Sequence, residues 1–373
     1  MSFEPVMLAI MHGSRPSKQS PRGTRAQRLL AWYDIHRRDL PWRAKAGQTA
    51  DPYRVWLSEI MLQQTTVQAV AGYYRKFIAR WPRVGALAKA PRDEVLAAWA
   101  GLGYYARARN LHAASRIVAE EMDGKFPATA EELRKLPGVG AYTAAAVAAI
   151  AFGAREAAMD ANAERVVARQ FAVDEPLTGA KVKLLALGKS LVPETRAGDF
   201  AQALMDLGAG ICTVKRPACG DCPWSEECEG KKRGIAESLP VKAPKRARPL
   251  KCGAAFVARD KSGAVLLVER PEKGLLGGML QPPLGPWGPK FPSTKEALEQ
   301  APFRAAWKKR PGFVRHTFTH FELEIEVWAA DVASRPKFQG AWIVDFSNAA
   351  LPTVMRKIVV HAFDAQAKSA RKR

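Results

Sequence analysis

The chain has no long apolar run. None of its 373 residues belongs to a stretch approaching the roughly 20 apolar side chains that a membrane-crossing helix needs, the longest candidate being the short, alanine-rich Ala141 to Ala151. The first 25 residues lack a signal-peptide core followed by a cleavage site. Lipidation motifs and basic amphipathic anchors are missing too, which argues against a membrane-surface role. Cysteine is scarce: five in a chain this long do not make the disulfide framework of a secreted domain. Acidic residues are also short, 36 against 58 Lys and Arg, which leaves a net charge of +22. Such an excess suits a polyanion such as nucleic acid, whose counterions it would release; a merely soluble basic protein is the bland alternative. No internal repeat is visible. What remains is a chain of two or three domains expected to work in a reducing compartment, the cytoplasm.

Residues 1–24 read as a disordered basic tail, with Arg15, Lys18 and Arg22 among Ser, Pro and Gly. From 25 to 229 apolar residues recur at three- and four-residue spacing between short Gly or Pro breaks, which predicts a helical domain. Segment 230–250 holds Lys231, Lys232, Arg233, Lys242, Lys245, Arg246 and Arg248 with three prolines, a basic linker. The period then changes to two. Ala254 to Arg259 and Ala264 to Arg270 flank an Asp-Lys-Ser-Gly turn, and Phe321, Leu323, Ile325 and Val327 alternate with glutamates as in a half-buried strand. Residues 251–346 are therefore expected to form a mixed α/β domain, with 347–373 a C-terminal segment ending in a basic tail.

Four cysteines crowd into residues 212–228. Cys212, Cys219, Cys222 and Cys228 follow the spacing C-x6-C-x2-C-x5-C, so one compact loop supplies four thiolates. Zinc ribbons more often use two separated C-x2-C pairs. A [4Fe–4S] cluster is the favoured occupant and zinc its rival. Lys215 and Arg216 lie within the loop, within reach of phosphates, and Cys252 is left over as a core residue.

Leu136-Pro-Gly-Val-Gly140 lies between a helix opening at Thr129-Ala-Glu-Glu132, which reads as a capping box, and the alanine-rich helix from Ala141. Gly138 and Gly140 would let the backbone approach an anion, and the next helix N-terminus would favour it electrostatically. An ordinary αα-hairpin is the plain alternative. Two acidic residues could then serve the release of a base from a sugar, one protonating the leaving group and one facing the sugar cation. Glu59 shares a helix face with Val55, Trp56, Leu62 and Gln63, where desolvation should raise its pKa. Asp160 precedes a helical run and reads first as an N-cap.

Taken together, Leu40-Pro-Trp42, Trp56-Leu-Ser-Glu-Ile-Met-Leu-Gln-Gln-Thr65, Gly101-Leu-Gly-Tyr-Tyr-Ala-Arg107, Leu136-Pro-Gly-Val-Gly140, Met205-Asp-Leu-Gly-Ala209 and the four cysteines resemble the MutY-type adenine DNA glycosylases of the endonuclease III superfamily. The resemblance implies a mainly α, two-lobed glycosylase domain with a helix-hairpin-helix at 129–150 and an iron–sulfur loop at 212–228. It implies that Glu59 protonates adenine, that Asp160 stabilises the sugar cation and that Asn162 orients the reacting groups. Arg38, Trp42, Leu62 and Gln202 would line a pocket for the flipped adenine, and Gln64 and Tyr104 would enter the base stack. Strand-cleaving relatives carry Lys where this chain has Tyr142, so Tyr142 joins the catalytic set as the mark of a monofunctional enzyme.

The second domain resembles the Nudix-like domain of the same family, with Phe318, Thr319 and His320 as readers of 8-oxoguanine. A hydrolytic Nudix box is absent, since residues 274–300 contain no Arg-Glu-x-x-Glu-Glu. The implied partner is double-stranded DNA with adenine opposite 8-oxoguanine or guanine, met by a monomer. Departures are Ala161 and Ala163 where the family usually has Gly and Val, Leu276 where Trp is common, and four additional residues between Trp42 and Pro52. Competing readings are an oxidised-pyrimidine glycosylase with lyase activity, a nucleotide-pool Nudix hydrolase, and a non-catalytic iron–sulfur DNA-binding protein.

Overall fold

The computed structural model describes residues 23–45, 47–242, 247–272, 274–346 and 349–363. In chain order the helices are α1 (Arg25–His36), α2 (Pro52–Leu62), α3 (Val67–Arg80), α4 (Val84–Ala88), α5 (Arg92–Ala98), α6 (Ala106–Glu121), α7 (Ala130–Leu133), α8 (Ala141–Phe152), α9 (Ala161–Gln170), α10 (Leu177–Leu191), α11 (Ala197–Gly210) and α12 (Glu229–Lys232), then α13 (Thr294–Glu299) and α14 (Thr353–Phe363). The strands are β1 (Leu250–Arg259), β2 (Val265–Glu269), β3 (Leu280–Gln281), β4 (Lys308–Lys309), β5 (Val314–Thr317), β6 (Glu322–Asp331) and β7 (Ala341–Ile343). The chain divides into two compact units, one of residues 1–37 and 159–241, the other of 38–158 and 242–373. Among the described residues no helix is long and apolar enough to cross a membrane.

The first unit is helical. Thr24 starts α1 with a full capping box, its hydroxyl accepting from Gln27 N–H while the Gln27 side chain accepts from Thr24 N–H. Residues 1–22 of the expected N-terminal tail lie outside the described residues. Helices α9 and α11 pack closely because residue 208 is glycine: a Cβ there would lie 2.6 Å from Asn162 Cβ and 3.1 Å from its backbone. The expected linker 230–250 needs correction. Its first part folds onto this unit, with Ala236 and Leu239 buried and Arg169 Nε donating to Leu239 O at 2.9 Å. Apolar side chains among the lysines anchor it, and residues 243–246 lie outside the described set.

The second unit holds a helical core and an α/β layer. Asp51 caps α2 by accepting from Tyr53 N–H at 2.8 Å and Arg54 N–H at 3.2 Å, and Pro52 fills the first turn, where it needs no donor. Trp56, Leu57, Ile60 and Met61 are 0–2% exposed. Each contributes about 1.5–3 kcal/mol on removal from water. The α7–α8 hairpin closes on Gly138, whose φ of +76° and 2.8 Å approach to Asn110 Cβ exclude a side chain. The box expected at α7 is half made: Thr129 accepts from Glu132 N–H, but the Glu132 carboxylate takes Lys135 instead.

The seven described strands form a sheet in the order β3-β2-β1-β6-β4, with β5 also on β6 and β7 on β2. β1 and β6 run parallel from Leu250 opposite Glu322 to Arg259 opposite Asp331. The Asp260 carboxylate holds the β1–β2 turn, accepting from the N–H groups of Ser262 and Ala264, and these bonds with the Ser262 hydroxyl and Arg335 hold it down at about 2. β6 is more buried than its alternation predicted, because it is central and both faces are covered. Its glutamates are matched across the sheet instead of solvated: Glu324 pairs with Arg315 on β5 and Glu326 with Lys309 on β4. The expected domain end at 346 is also corrected, since Val354, Met355, Ile358 and Val359 of α14 are buried in the same core. Residues 364–373 of the expected basic tail lie outside the described set.

Candidate active site and nucleic-acid interface

Glu59 sits in the buried middle of α2 at 5% exposure. The Tyr142 hydroxyl, one residue into α8, donates to its Oε2 at 2.8 Å. The hairpin helix thus supplies the partner of the α2 acid. Gln63, at the end of α2, donates to Thr143 Oγ1 at 3.1 Å and ties the same two helices. Helix α8 begins at Gly140, which makes no side-chain cap bond and has open space where a Cβ would sit. A glycine there offers no side chain to cap the first-turn amides, the groups an anion site uses. Trp42 is buried, edge-on to Tyr74, and Leu62 packs beside the same core; Arg38 is half-buried.

On the other unit, Asp160 is the N-cap of α9 and accepts from Ala163 N–H at 2.7 Å. Its second oxygen accepts from Asn162 Nδ2 at 3.0 Å. Asn162 in turn accepts from Arg165, whose guanidinium also donates to Gly208 O at 2.6 Å and Cys212 O at 2.8 Å. Arg165 thus joins Asp160 to the start of the cysteine loop. Ala161 is the first residue of α9 and is not among the residues with positive φ, so the change from glycine costs nothing there. Gln202, on α11, donates to Gly198 O at 3.3 Å.

Cys212, Cys219, Cys222 and Cys228 line one cavity with Arg169 and Lys231, and none forms a disulfide. Among the described residues no three His, Cys, Asp or Glu side chains gather tightly enough for one metal ion. Burial pushes the Cys222 thiol up to about 12, and the nearness of Cys212, Cys228 and Cys219 pushes it the same way. Four thiolates so placed repel one another unless a cationic group lies between them. Arg169, 1% exposed, donates to Cys212 Sγ at 3.3 Å. A donor set of four sulfurs ringing a cavity, with the buried Arg169 beside it, fits an iron–sulfur cluster. Lys215 and Arg216 are exposed on the loop, and Cys252 is buried in the second domain.

A cavity of about 770 Å³ opens where the helical core meets the α/β layer. Gln63, Gln64, Tyr104 and Arg107 line it from one side; His316, Phe318, Thr319 and His320 line it from the other. Phe318, Thr319 and His320 form the turn between β5 and β6, with Phe318 stacked on Phe321 and edge-on to His316. The hydroxyls of Tyr104 and Thr319 are 3.0 Å apart. Burial and Lys357 push His316 below its ordinary value, which favours the neutral ring. Gln64 and Tyr104 have φ of +57° and +47°. A left-handed non-glycine residue costs roughly 1–2 kcal/mol, so the surrounding contacts must hold both.

Sequence reasoning missed Arg107, which it met only as the last letter of a longer motif, and Arg165. No sequence signal singled them out, since both helices carry several other charged residues. It also missed how the loop before β3 seats itself: Met279 is fully buried in the helical core, and Arg109 donates to Gly277 O. Leu276, which replaces the common Trp, packs against both cores with φ of +55°.

Comparison with known proteins agrees with this arrangement. Residues 57–188 match the family described as HhH-GPD superfamily base excision DNA repair protein, and residues 254–361 match the NUDIX domain. A thermostable thymine-DNA glycosylase superposes with a TM-score of 0.51 at 33% identity, covering 56% of this chain and 95% of that one. Fold and site define a helix-hairpin-helix DNA glycosylase with a Nudix-type second domain. The human adenine DNA glycosylase is 36% identical over 394 residues, covering 88% of this chain and 72% of its own length. That of Mycolicibacterium smegmatis is 44% identical over 209 residues, covering 56% of this chain and 69% of its own. The chain belongs to the adenine DNA glycosylases, base-excision repair enzymes that hydrolyse N-glycosyl bonds.

Proposed function

We propose that the enzyme removes adenine paired with 8-oxoguanine in double-stranded DNA, and more slowly adenine paired with guanine, leaving an abasic site. The observation that carries this reading is the single cavity shared by Gln64 and Tyr104 with Phe318, Thr319 and His320. The stack-entering pair and the base-reading turn address one nucleotide there, and His316 beside them, which favours its neutral ring, suits a neutral base. Arg38, Trp42 and Leu62 receive the extruded adenine, and the uncapped start of α8 behind Gly138 and Gly140 holds a DNA phosphate.

Glu59 donates its proton to adenine N7. Burial keeps bulk water away from this carboxyl. As the C1′–N9 bond breaks, its electron pair leaves with adenine and the sugar becomes an oxocarbenium ion. The Tyr142 hydroxyl steadies the Glu59 carboxylate left behind. Asp160, oriented by Asn162 and Arg165, stabilises the sugar cation until water adds at C1′. Tyr142 has no amine, so no Schiff base forms and the strand is not cut. The second domain reads the base without hydrolysing nucleotides, and the enzyme acts as a monomer on the nucleoid of the bacterial-type cytoplasm.

Single-turnover assays test this: adenine release should be fastest opposite 8-oxoguanine, slower opposite guanine and negligible opposite thymine. Borohydride should trap no covalent adduct on abasic DNA. Efficient trapping, or faster release of an oxidised pyrimidine, would replace this reading with the lyase one.

Cys212, Cys219, Cys222 and Cys228 would hold the [4Fe–4S] cluster, whose cationic core offsets the thiolate charge and fixes the loop. Cys222→Ser should lose the visible absorbance of an iron–sulfur protein and lower the thermal midpoint. It should also bring stoichiometric iron down in metal analysis. Zinc at one equivalent in the wild type, with no iron, would decide for the rival.

A further inference from the structure

We propose that Arg107 is a positioning residue that sets the preference for 8-oxoguanine over guanine, by holding Gln64 and Tyr104 at the rim of the shared cavity. The inference rests on the reading that this cavity receives the guanine partner. Arg107 is 8% exposed near the start of α6. Its Nη1 donates to Ile60 O at 3.1 Å, to Met61 O at 3.0 Å and to Gln63 O. Its Nη2 donates to Thr65 Oγ1 at 3.1 Å, Leu102 O at 2.9 Å and Gly103 O at 3.3 Å. The guanidinium lies over the rings of Trp99 and Tyr104, at 5.2 and 5.6 Å from their centroids.

These bonds fall in a telling place. Gln64 lies between two of the accepting residues, Gln63 and Thr65. Tyr104 directly follows a third, Gly103, and its ring also covers the cation. Gln64 and Tyr104, both in left-handed backbone at the cavity, are thus bracketed by one side chain. The same cation closes the last carbonyls of α2, the helix that carries Glu59. Only a planar fork can serve both segments at once; a lysine ammonium, a point donor, reaches one cluster of carbonyls or the other. With the bracket loosened, Gln64 and Tyr104 relax toward ordinary backbone and leave the positions from which they meet the guanine partner.

A merely structural arginine would weaken excision equally opposite either partner. The test is therefore the ratio of single-turnover adenine-release rates opposite 8-oxoguanine and opposite guanine, for wild type, Arg107→Lys and Thr65→Val. In Arg107→Lys the ratio should fall about tenfold or more, the loss being concentrated on the 8-oxoguanine duplex. Thr65→Val removes the bond from Arg107 and the hydroxyl's own bond to Gln63 O, both on the rim side, and keeps the core charge; it should lower the ratio roughly two- to threefold in the same direction. If Arg107→Lys fails to fold, Thr65→Val carries the test. Equal losses on both duplexes, or an unchanged ratio, would overturn the role of Arg107. A wild type without preference, or one whose preference survives His320→Ala, would instead overturn the cavity reading, and this inference with it.

Discussion

Glu59→Gln should bind mispaired duplex as wild type does and release adenine about 10³-fold more slowly, within the range a general acid supplies. The substitution is nearly isosteric. The amide oxygen can still accept from the Tyr142 hydroxyl, which donates at 2.8 Å to the native carboxylate, so α2 and α8 stay docked. What is lost is the proton. A band shift on an adenine:8-oxoguanine duplex measures binding, and single-turnover release on the same duplex measures chemistry. A variant that binds normally and turns over at nearly the wild-type rate would remove Glu59 from the acid role.

The second large effect is expected at Asp160. Asp160→Asn retains one acceptor oxygen where Asp has two, so it must give up either the cap bond from Ala163 N–H or the bond from Asn162. That costs about 1 kcal/mol of stability. The catalytic loss should be far larger, about 10²–10³-fold in release rate, because the negative charge that meets the sugar cation is gone. Measuring the thermal midpoint beside the single-turnover rate separates the two. A modest midpoint drop with a collapsed rate supports the cation-stabilising role. A rate that falls only as far as folded enzyme is lost would reduce Asp160 to a helix cap.

Much of this was legible from residues that announce themselves locally. The cysteine spacing marked one loop, and Leu-Pro-Gly-Val-Gly marked the hairpin. Asp160 read as an N-cap and occupies one. The helical run from 25 and the switch to period two near 251 follow from side-chain periodicity, which needs only near neighbours. The errors arose where the deciding partner was distant in sequence. Glu324 and Glu326 looked like the wet face of a strand because Arg315 and Lys309, which pair with them, sit on other strands. The lysines and prolines of 230–242 suggested a linker, while Ala236 and Leu239 among them carry enough apolar surface to dock. Residues 353–363 were left outside the second domain because a lone amphipathic helix does not say which core it covers. Arg107 and Arg165 were invisible as functional residues, since their value lies in carbonyls contributed by several segments.

The helix that opens the first unit, α1, has its companions at the far end of that unit. Trp224 donates its indole N–H to Arg25 O across 199 residues of sequence, and Arg25 and Arg28 both pair with Glu227. A ribosome therefore delivers α1 long before anything exists for it to lean on. Its buried face, Leu29, Leu30 and Tyr33, stays wet until α11, which packs against it, has been made. Chaperone demand during synthesis should be greatest over that interval, and a nascent chain stalled before residue 197 should expose α1 to protease while the helices from 52 to 152 are already protected.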